Sequence, residues 1–227
     1  MEKLFLSYGI NLNDRQKESF EKYYQLLIHY NSMFNLTAIT EREEVYKKHF
    51  IDSVIGVDKL VGEKLIDIGS GGGFPALPIK IMRPELQLTL VEATGKKCEF
   101  LKAVVKELGL NGVKVINGRA EDLAKDINTH REKYDICTAR AVARLNTLCE
   151  YCMPFVKVGG YFVSFKGNAK EEILEAKNAV KILGGEIETF TEYQLDGAER
   201  TLIYVKKTAN TPNKYPRGNG KERKSPL

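Results

Sequence analysis

The sequence predicts an α/β fold: one mostly parallel, seven-stranded sheet that ends in an antiparallel hairpin and is preceded by helices. Three observations carry this. After residue 62 short apolar runs alternate with amphipathic segments, the pattern of a parallel sheet covered on both faces. The first apolar run passes directly into Gly69-Ser70-Gly71-Gly72-Gly73. The last two runs follow one another without a helix, joined by a turn at Asp196-Gly197.

Taken in order, Phe20, Tyr23, Tyr24, Leu27 and Tyr30 recur at helical spacing over 14–34, with Asn13 placed as a cap. Thr40 and Glu43 read as a capping box opening a second helix, which Val45, Phe50, Val54 and Val57 carry to about residue 57. Strands are expected at 65–68, 88–91, 113–116, 134–137 and 161–165, and helices near 75–82, 96–108, 121–129, 145–153 and 170–183. The hairpin takes 186–193 and 201–206. The chain thus divides into a helical extension (1–60), an α/β domain (61–207) and a tail (208–227).

Of the 227 residues 43% are hydrophobic and 29% charged, the composition of an ordinary globular protein. The formal charge is +5, yet residues 206–227 alone carry +6. The excess is a basic arm on a nearly neutral body. No apolar stretch approaches the roughly 20 residues of a membrane span, and residues 1–10 hold no signal-like apolar core, so a cytosolic protein without a membrane partner is expected. Four cysteines without a secretory signal are expected reduced. Cys149 and Cys152 read as helix packing; neither they nor His49 have metal-spaced partners, and no metal is expected.

A strand running into a glycine turn and then a helix is where such sheets bind nucleotide-like ligands. Here Phe74 stands where a dinucleotide loop needs glycine, and Pro75 has no N–H for a pyrophosphate. Asp67 can orient the turn or receive an ammonium group. Glu92, closing the second strand, can accept both hydroxyls of a ribose. Glu121, opening the helix after the third strand, can border a purine.

This set of an acid, glycines at alternate positions and a second strand-end acid resembles the class I S-adenosylmethionine-dependent methyltransferases, whose fold is Rossmann-like. Closer motifs are similar to the glucose-inhibited division protein B family, bacterial guanine-N7 methyltransferases of 16S ribosomal RNA. They are Asn35-Leu36-Thr37-Ala38-Ile39-Thr40, His49-Phe50-Ile51-Asp52-Ser53, the Gly69 to Pro78 run, Gly118-Arg119-Ala120-Glu121, Ala139-Arg140-Ala141 and Phe165-Lys166-Gly167. The tail departs from the family pattern by losing a proline before its final basic residues.

The resemblance implies that Gly69, Gly71, Gly73, Phe74, Glu92, Ala93, Thr94, Ala120, Glu121 and Arg140 hold or shape a site for S-adenosylmethionine. Guanine N7 has an in-plane lone pair and no proton to lose, so placement matters more than a base, and no catalytic base is obligatory. Arg140 is the one candidate catalytic residue. Phosphates need counter-charge, which Lys166, Lys214, Arg217, Arg223 and Lys224 would supply together with Lys206, Lys207 and Lys221, while Tyr215 would stack on a base. The tail is expected to be solvated until RNA orders it, and removing 209–227 to spare cofactor binding. The expected partner of the monomer is 16S RNA or the 30S subunit. Rival readings are a class I methyltransferase for another RNA or a small molecule, and a non-catalytic RNA-binding module.

Overall fold

Residues 1–227 are described by a computed structural model. Helix α1 (Glu2–Leu6), which the apolar spacing did not reveal, precedes α2 (Asp14–Phe34). Asn13 caps α2 as expected and with a partner: its Oδ1 accepts from Gln16 N–H and its N–H donates to Gln16 Oε1, both at 2.9 Å. The capping box at Thr40 does not form. The helix starts at Arg42 with Glu41 as its uncapped first neighbour, so Glu43 and Glu44 occupy the first turn, where the helix dipole favours them. This helix, α3, runs Arg42–Val45, then through a π-helical Tyr46–Ile51, to Asp52–Val54, and stops short of residue 57.

The alternating part follows as β1 (Lys64–Ile68), α4 (Ala76–Met82), β2 (Gln87–Glu92), α5 (Gly95–Glu107), β3 (Val113–Asn117), α6 (Ala120–Leu123), β4 (Tyr134–Arg140), α7 (Leu145–Cys152) and β5 (Val156–Lys166). Then come α8 (Lys170–Glu175), α9 (Lys177–Ile182), β6 (Gly185–Leu195), β7 (Ala198–Lys207) and α10 (Lys221–Lys224). The expected helix at 121–129 is cut to one turn because Asp126 Oδ1 accepts from the N–H groups of Asn128 and Thr129, each at 3.0 Å, and holds the chain in a turn. The helix expected at 170–183 bends at the fully buried Ala176 into two.

The sheet has seven strands in the order β3-β2-β1-β4-β5-β7-β6, parallel through β5 and antiparallel at β7 and β6. The order reverses between β1 and β4, which opens a crevice at their carboxyl ends. One face carries a core that joins α1, α2 and α3 through Phe5, Phe20, Tyr23 and Phe50 to Leu77 and Phe100 of the sheet's own helices. The other buries α7 and α9, and includes Tyr215 from the tail. No helix is long and apolar enough to cross a membrane.

The tail is not a solvated arm, which corrects the sequence reading. The Arg131 guanidinium donates to the carbonyls of Thr211 (2.8 Å), Tyr215 (2.9 Å) and Ala124 (3.1 Å). The Lys207 ammonium, wholly buried, donates to Met153 O (2.6 Å) and Thr211 Oγ1 (2.7 Å). Arg217 grips the buried Glu150 carboxylate with Nε (2.9 and 3.1 Å) and Nη2 (2.7 Å). Basic residues set the charge of this segment, but Lys207 and Arg217 turn inward onto acids and carbonyls.

Candidate functional site

The glycine loop begins where β1 ends and has two positions, Gly69 and Gly73, that neighbouring side chains leave open to glycine alone. Gly69 has φ +70°, and a methyl group there would drive into Val142. Gly73 has φ +88°, and a methyl group would meet the Tyr23 hydroxyl and Leu77. Tyr23 donates to Gly72 O at 2.5 Å, so α2 fastens the loop from behind. α4 opens on Ala76 and Leu77, both wholly buried, after Pro75, which has no N–H, and the Leu77 N–H donates to Gly73 O at 2.8 Å.

In front of the loop lies a pocket of about 370 Å³. Its apolar walls are Ile68, Val91, Ala93, Ala120 and Val142. Glu92 is fixed at its edge, Oε2 accepting from Gly71 N–H (2.9 Å) and Oε1 from Thr94 N–H (2.8 Å). Each oxygen keeps a lone pair for a further donor. Glu121 lines the pocket and pairs with Arg119 at 3.5 Å. The remaining wall comes from α7 and the tail: Tyr151, Gly220, Glu222 and Arg223. A larger groove of about 850 Å³ lies against the edge strand β6, away from the strand ends, and lacks the loop.

The expected cofactor residues therefore separate. Gly69, Glu92, Ala93, Ala120 and Glu121 line the pocket; Gly71 and Thr94 act through Glu92; Gly73, Phe74 and Arg140 lie on the other side of the loop. Phe74 is stacked on His49, ring centroids 4.5 Å apart, and on Tyr23 at 5.5 Å. The Arg140 guanidinium covers Phe74 at 5.1 Å and bonds Asp52 Oδ2 (2.9 Å) and Lys48 O (3.2 Å). Asp52 also takes Tyr193 OH at 3.0 Å and faces Arg200 at 3.3 Å, joining α3 and the hairpin to the end of β4.

Burial, and then the charge of Arg140, push the His49 imidazole down to about 3, so it is neutral at neutral pH. His49 Nδ1 lies between the Lys48 carbonyl (3.2 Å) and the Arg140 guanidinium (3.3 Å), and Nε2 shares a hydrogen bond with the Thr37 hydroxyl at 2.8 Å. Asp67 is buried and is not among the residues that line the pocket; its Oδ1 accepts from Thr138 Oγ1 on β4 at 2.6 Å, while Oδ2 is unpartnered. Burial pushes this carboxyl up to about 7.

Of the residues expected to meet RNA, two are engaged within the fold. Lys166 donates to Ala143 O (2.6 Å) and pairs with Glu172 (2.7 Å), and Arg217 is held by Glu150. Tyr215, expected to stack on a base, is buried in the core. Lys214, Arg223 and Lys224 are exposed. The tail also lines the pocket, through Gly220, Glu222 and Arg223, whereas the sequence assigned it to RNA alone. Val142, Tyr151 and Glu222 are pocket residues that the sequence did not reveal, and Arg223, expected only at RNA, joins them; the one signal was that Glu222 is the only acid among the last twenty-two residues. No group of three or more His, Cys, Asp or Glu side chains is arranged to hold a metal ion. All four cysteines are buried thiols.

Residues 16–203 match the family model described as GidB, rRNA small subunit methyltransferase G. A ribosomal RNA small subunit methyltransferase G of Lactobacillus johnsonii is 47% identical over 233 residues, covering 99% of this chain and 97% of the relative. One from Streptococcus pneumoniae serotype 19F is 47% identical over 230 residues, with the same coverage. Among solved structures, M. jannaschii TYW2 in complex with AdoMet aligns over 69% of this chain and 76% of its own, with a TM-score of 0.55 and 13% identity. Precorrin-6y C5,15-methyltransferase of Geobacter metallireducens aligns over 69% and 87%, with a TM-score of 0.51 and 12% identity. These two show the fold.

Proposed function

The chain belongs to the rRNA small subunit methyltransferase G (GidB) family, and from that premise we propose that it moves the methyl group of S-adenosylmethionine to N7 of a guanine in 16S ribosomal RNA. It is an S-adenosylmethionine-dependent enzyme. The observation that carries the reading is Glu92, held by two loop amides at the rim of an apolar pocket at the sheet's switch point. A carboxylate fixed in that way suits the two hydroxyls of a ribose, and the apolar walls suit a purine. The buried start of α4 suits no diphosphate.

When bound, the cofactor supplies an electrophilic methyl group. The chain's own work is placement. Gly69 lets the loop approach the ligand, Glu92 sets the ribose, and Ala120 and Glu121 border the base. Arg140, Phe74 and neutral His49 form one stack that fixes the loop's far side, where guanine would enter. Guanine N7 needs no proton removed, so alignment supplies most of the acceleration. Lys214, Arg223, Lys224 and the exposed Arg119 give counter-charge to RNA phosphates. The three sequence segments share this labour: 61–207 holds cofactor and substrate base, 1–60 backs the loop, and 208–227 closes the cofactor pocket and presents charge to RNA. We read the enzyme as a cytoplasmic monomer.

Incubating the protein with methyl-labelled S-adenosylmethionine and under-methylated 30S subunits, then with naked 16S RNA, tests the reading. Label is expected at guanine N7, detected by borohydride-aniline cleavage. Label at another atom or none overturns it. Arg140→Ala is expected to lower the rate at least tenfold by freeing Phe74 and Asp52; an unchanged rate removes Arg140 from the machinery.

A further inference from the structure

Glu222 is wholly buried, and neither of its carboxylate oxygens has a hydrogen-bond partner. Burying a carboxylate without a partner is among the most costly arrangements a fold can hold, and a group left so calls for a donor from a water, an ion or a ligand. The segment around it is fastened. Thr147 Oγ1 donates to the Glu222 carbonyl at 3.0 Å, Gly220 turns the chain into α10 at φ +73°, and the next side chain, Arg223, holds the Tyr151 hydroxyl at 3.2 Å. Glu222 is thus kept at the wall of the pocket and away from water.

The pocket holds three carboxylates, and their surroundings divide their roles. Glu92 is pinned by the loop amides at the ribose position. Glu121 has Arg119 as a partner. Glu222 alone among the three lacks one, and adenine offers one strong donor on its edge, the exocyclic 6-amino group. We propose that the Glu222 carboxylate accepts that amino group and is the residue by which this enzyme reads the base of its cofactor. The inference rests on the cofactor reading above. A 6-oxo purine would set a carbonyl oxygen against the carboxylate, two acceptors facing each other, and a site built for a donor rejects such an analogue strongly. The tail is then part of the cofactor's specificity, and loading the pocket gives the carboxylate the hydrogen bond that the fold itself does not supply.

Calorimetric titration of the full chain with S-adenosyl-L-homocysteine and S-inosyl-L-homocysteine, without RNA, tests this. The unmodified protein is expected to prefer the adenosyl compound by roughly tenfold or more, the strength of a hydrogen bond to a charged group. In Glu222→Gln the amide can rotate to donate to a 6-oxo group, and the preference is expected to fall to about threefold or less. The ratio is taken within each protein, so a general loss of affinity does not imitate it. Unliganded Glu222→Gln is expected to melt at or above the temperature of the unmodified protein, because a buried carboxylate without a hydrogen-bond partner is gone. Equal affinity of the unmodified protein for both compounds, or a preference unchanged in Glu222→Gln, overturns the inference while leaving the cofactor reading intact. Binding of neither compound overturns both.

Discussion

The segments before β1 and after β7 both wrap the sheet near the glycine loop, and they are held by different physics. The first packs aromatic on aromatic: Phe5 on Phe20 (5.0 Å between centroids), Phe20 on Phe50 (5.1 Å), and Tyr23 on Phe74 (5.5 Å). The second is held by Arg131, Lys207, Thr147 and the Arg217–Glu150 pair, with Tyr215 as its main apolar anchor. Apolar contacts gain free energy with buried area and tolerate small shifts. Polar anchors gain little net free energy when made and lose much when one partner is removed. The N-terminal helices should therefore unfold only with the sheet, whereas the tail should come away alone.

The largest expected effect tests the first half of that contrast. Phe20→Ala removes a fully buried ring from the shared core and should cost about 3–5 kcal/mol of global stability in a single urea transition. A separate early transition of the N-terminal helices, with the sheet unaffected, would break the comparison.

The next effect lies at the root of the tail. Burial lowers the Lys207 ammonium to about 8, although Glu132 opposes the shift. A folded-state value below the unfolded one means that the unfolded chain binds the proton more tightly between about pH 8 and 10.5. Stability should rise with pH across that window by up to about 3 kcal/mol from this group, and the contribution is absent below it. In Lys207→Met the extra slope should vanish relative to the unmodified protein, measured as unfolding free energy against pH. Parallel curves for the two proteins would show that the ammonium is not a buried cost.

The same contrast explains what could be read from the residues. Strands such as Lys64–Ile68 and helices such as Asp14–Phe34 declare themselves through apolar spacing, and Gly69, Glu92 and Glu121 through their positions at strand ends. Spacing says nothing of a charged side chain whose partner is far along the chain. Arg217 and Glu150 lie 67 residues apart, and Arg131 and Tyr215 lie 84 apart. Composition alone made the tail a solvated basic arm. The division of Asp67 from Glu92 was equally hidden: both are strand-end acids, and only the register that sets Asp67 beside Thr138 takes it out of the pocket.

The smallest effect is the most specific to the tail. Arg217→Ala takes the guanidinium from Glu150, which is almost fully buried, and leaves that carboxylate the backbone N–H of residue 217 at 2.8 Å as its remaining partner. Removing one partner of a buried pair costs about 3–5 kcal/mol, but this guanidinium is partly exposed and one donor survives, so about 1–3 kcal/mol is expected. The loss falls on docking of the tail and not on the shared core. Limited proteolysis between residues 208 and 227 should accelerate at least tenfold, while the urea midpoint moves much less than in Phe20→Ala. Glu222 and Arg223 line the proposed cofactor pocket only while the tail is docked, so affinity for S-adenosyl-L-homocysteine should fall with the docked fraction. Arg217→Lys keeps the charge without the two-pronged geometry and should lie between the two proteins. Tail cleavage at the unmodified rate in Arg217→Ala would mean that Tyr215 and the Arg131 contacts suffice to hold the segment, and that its attachment resembles that of the N-terminal helices after all.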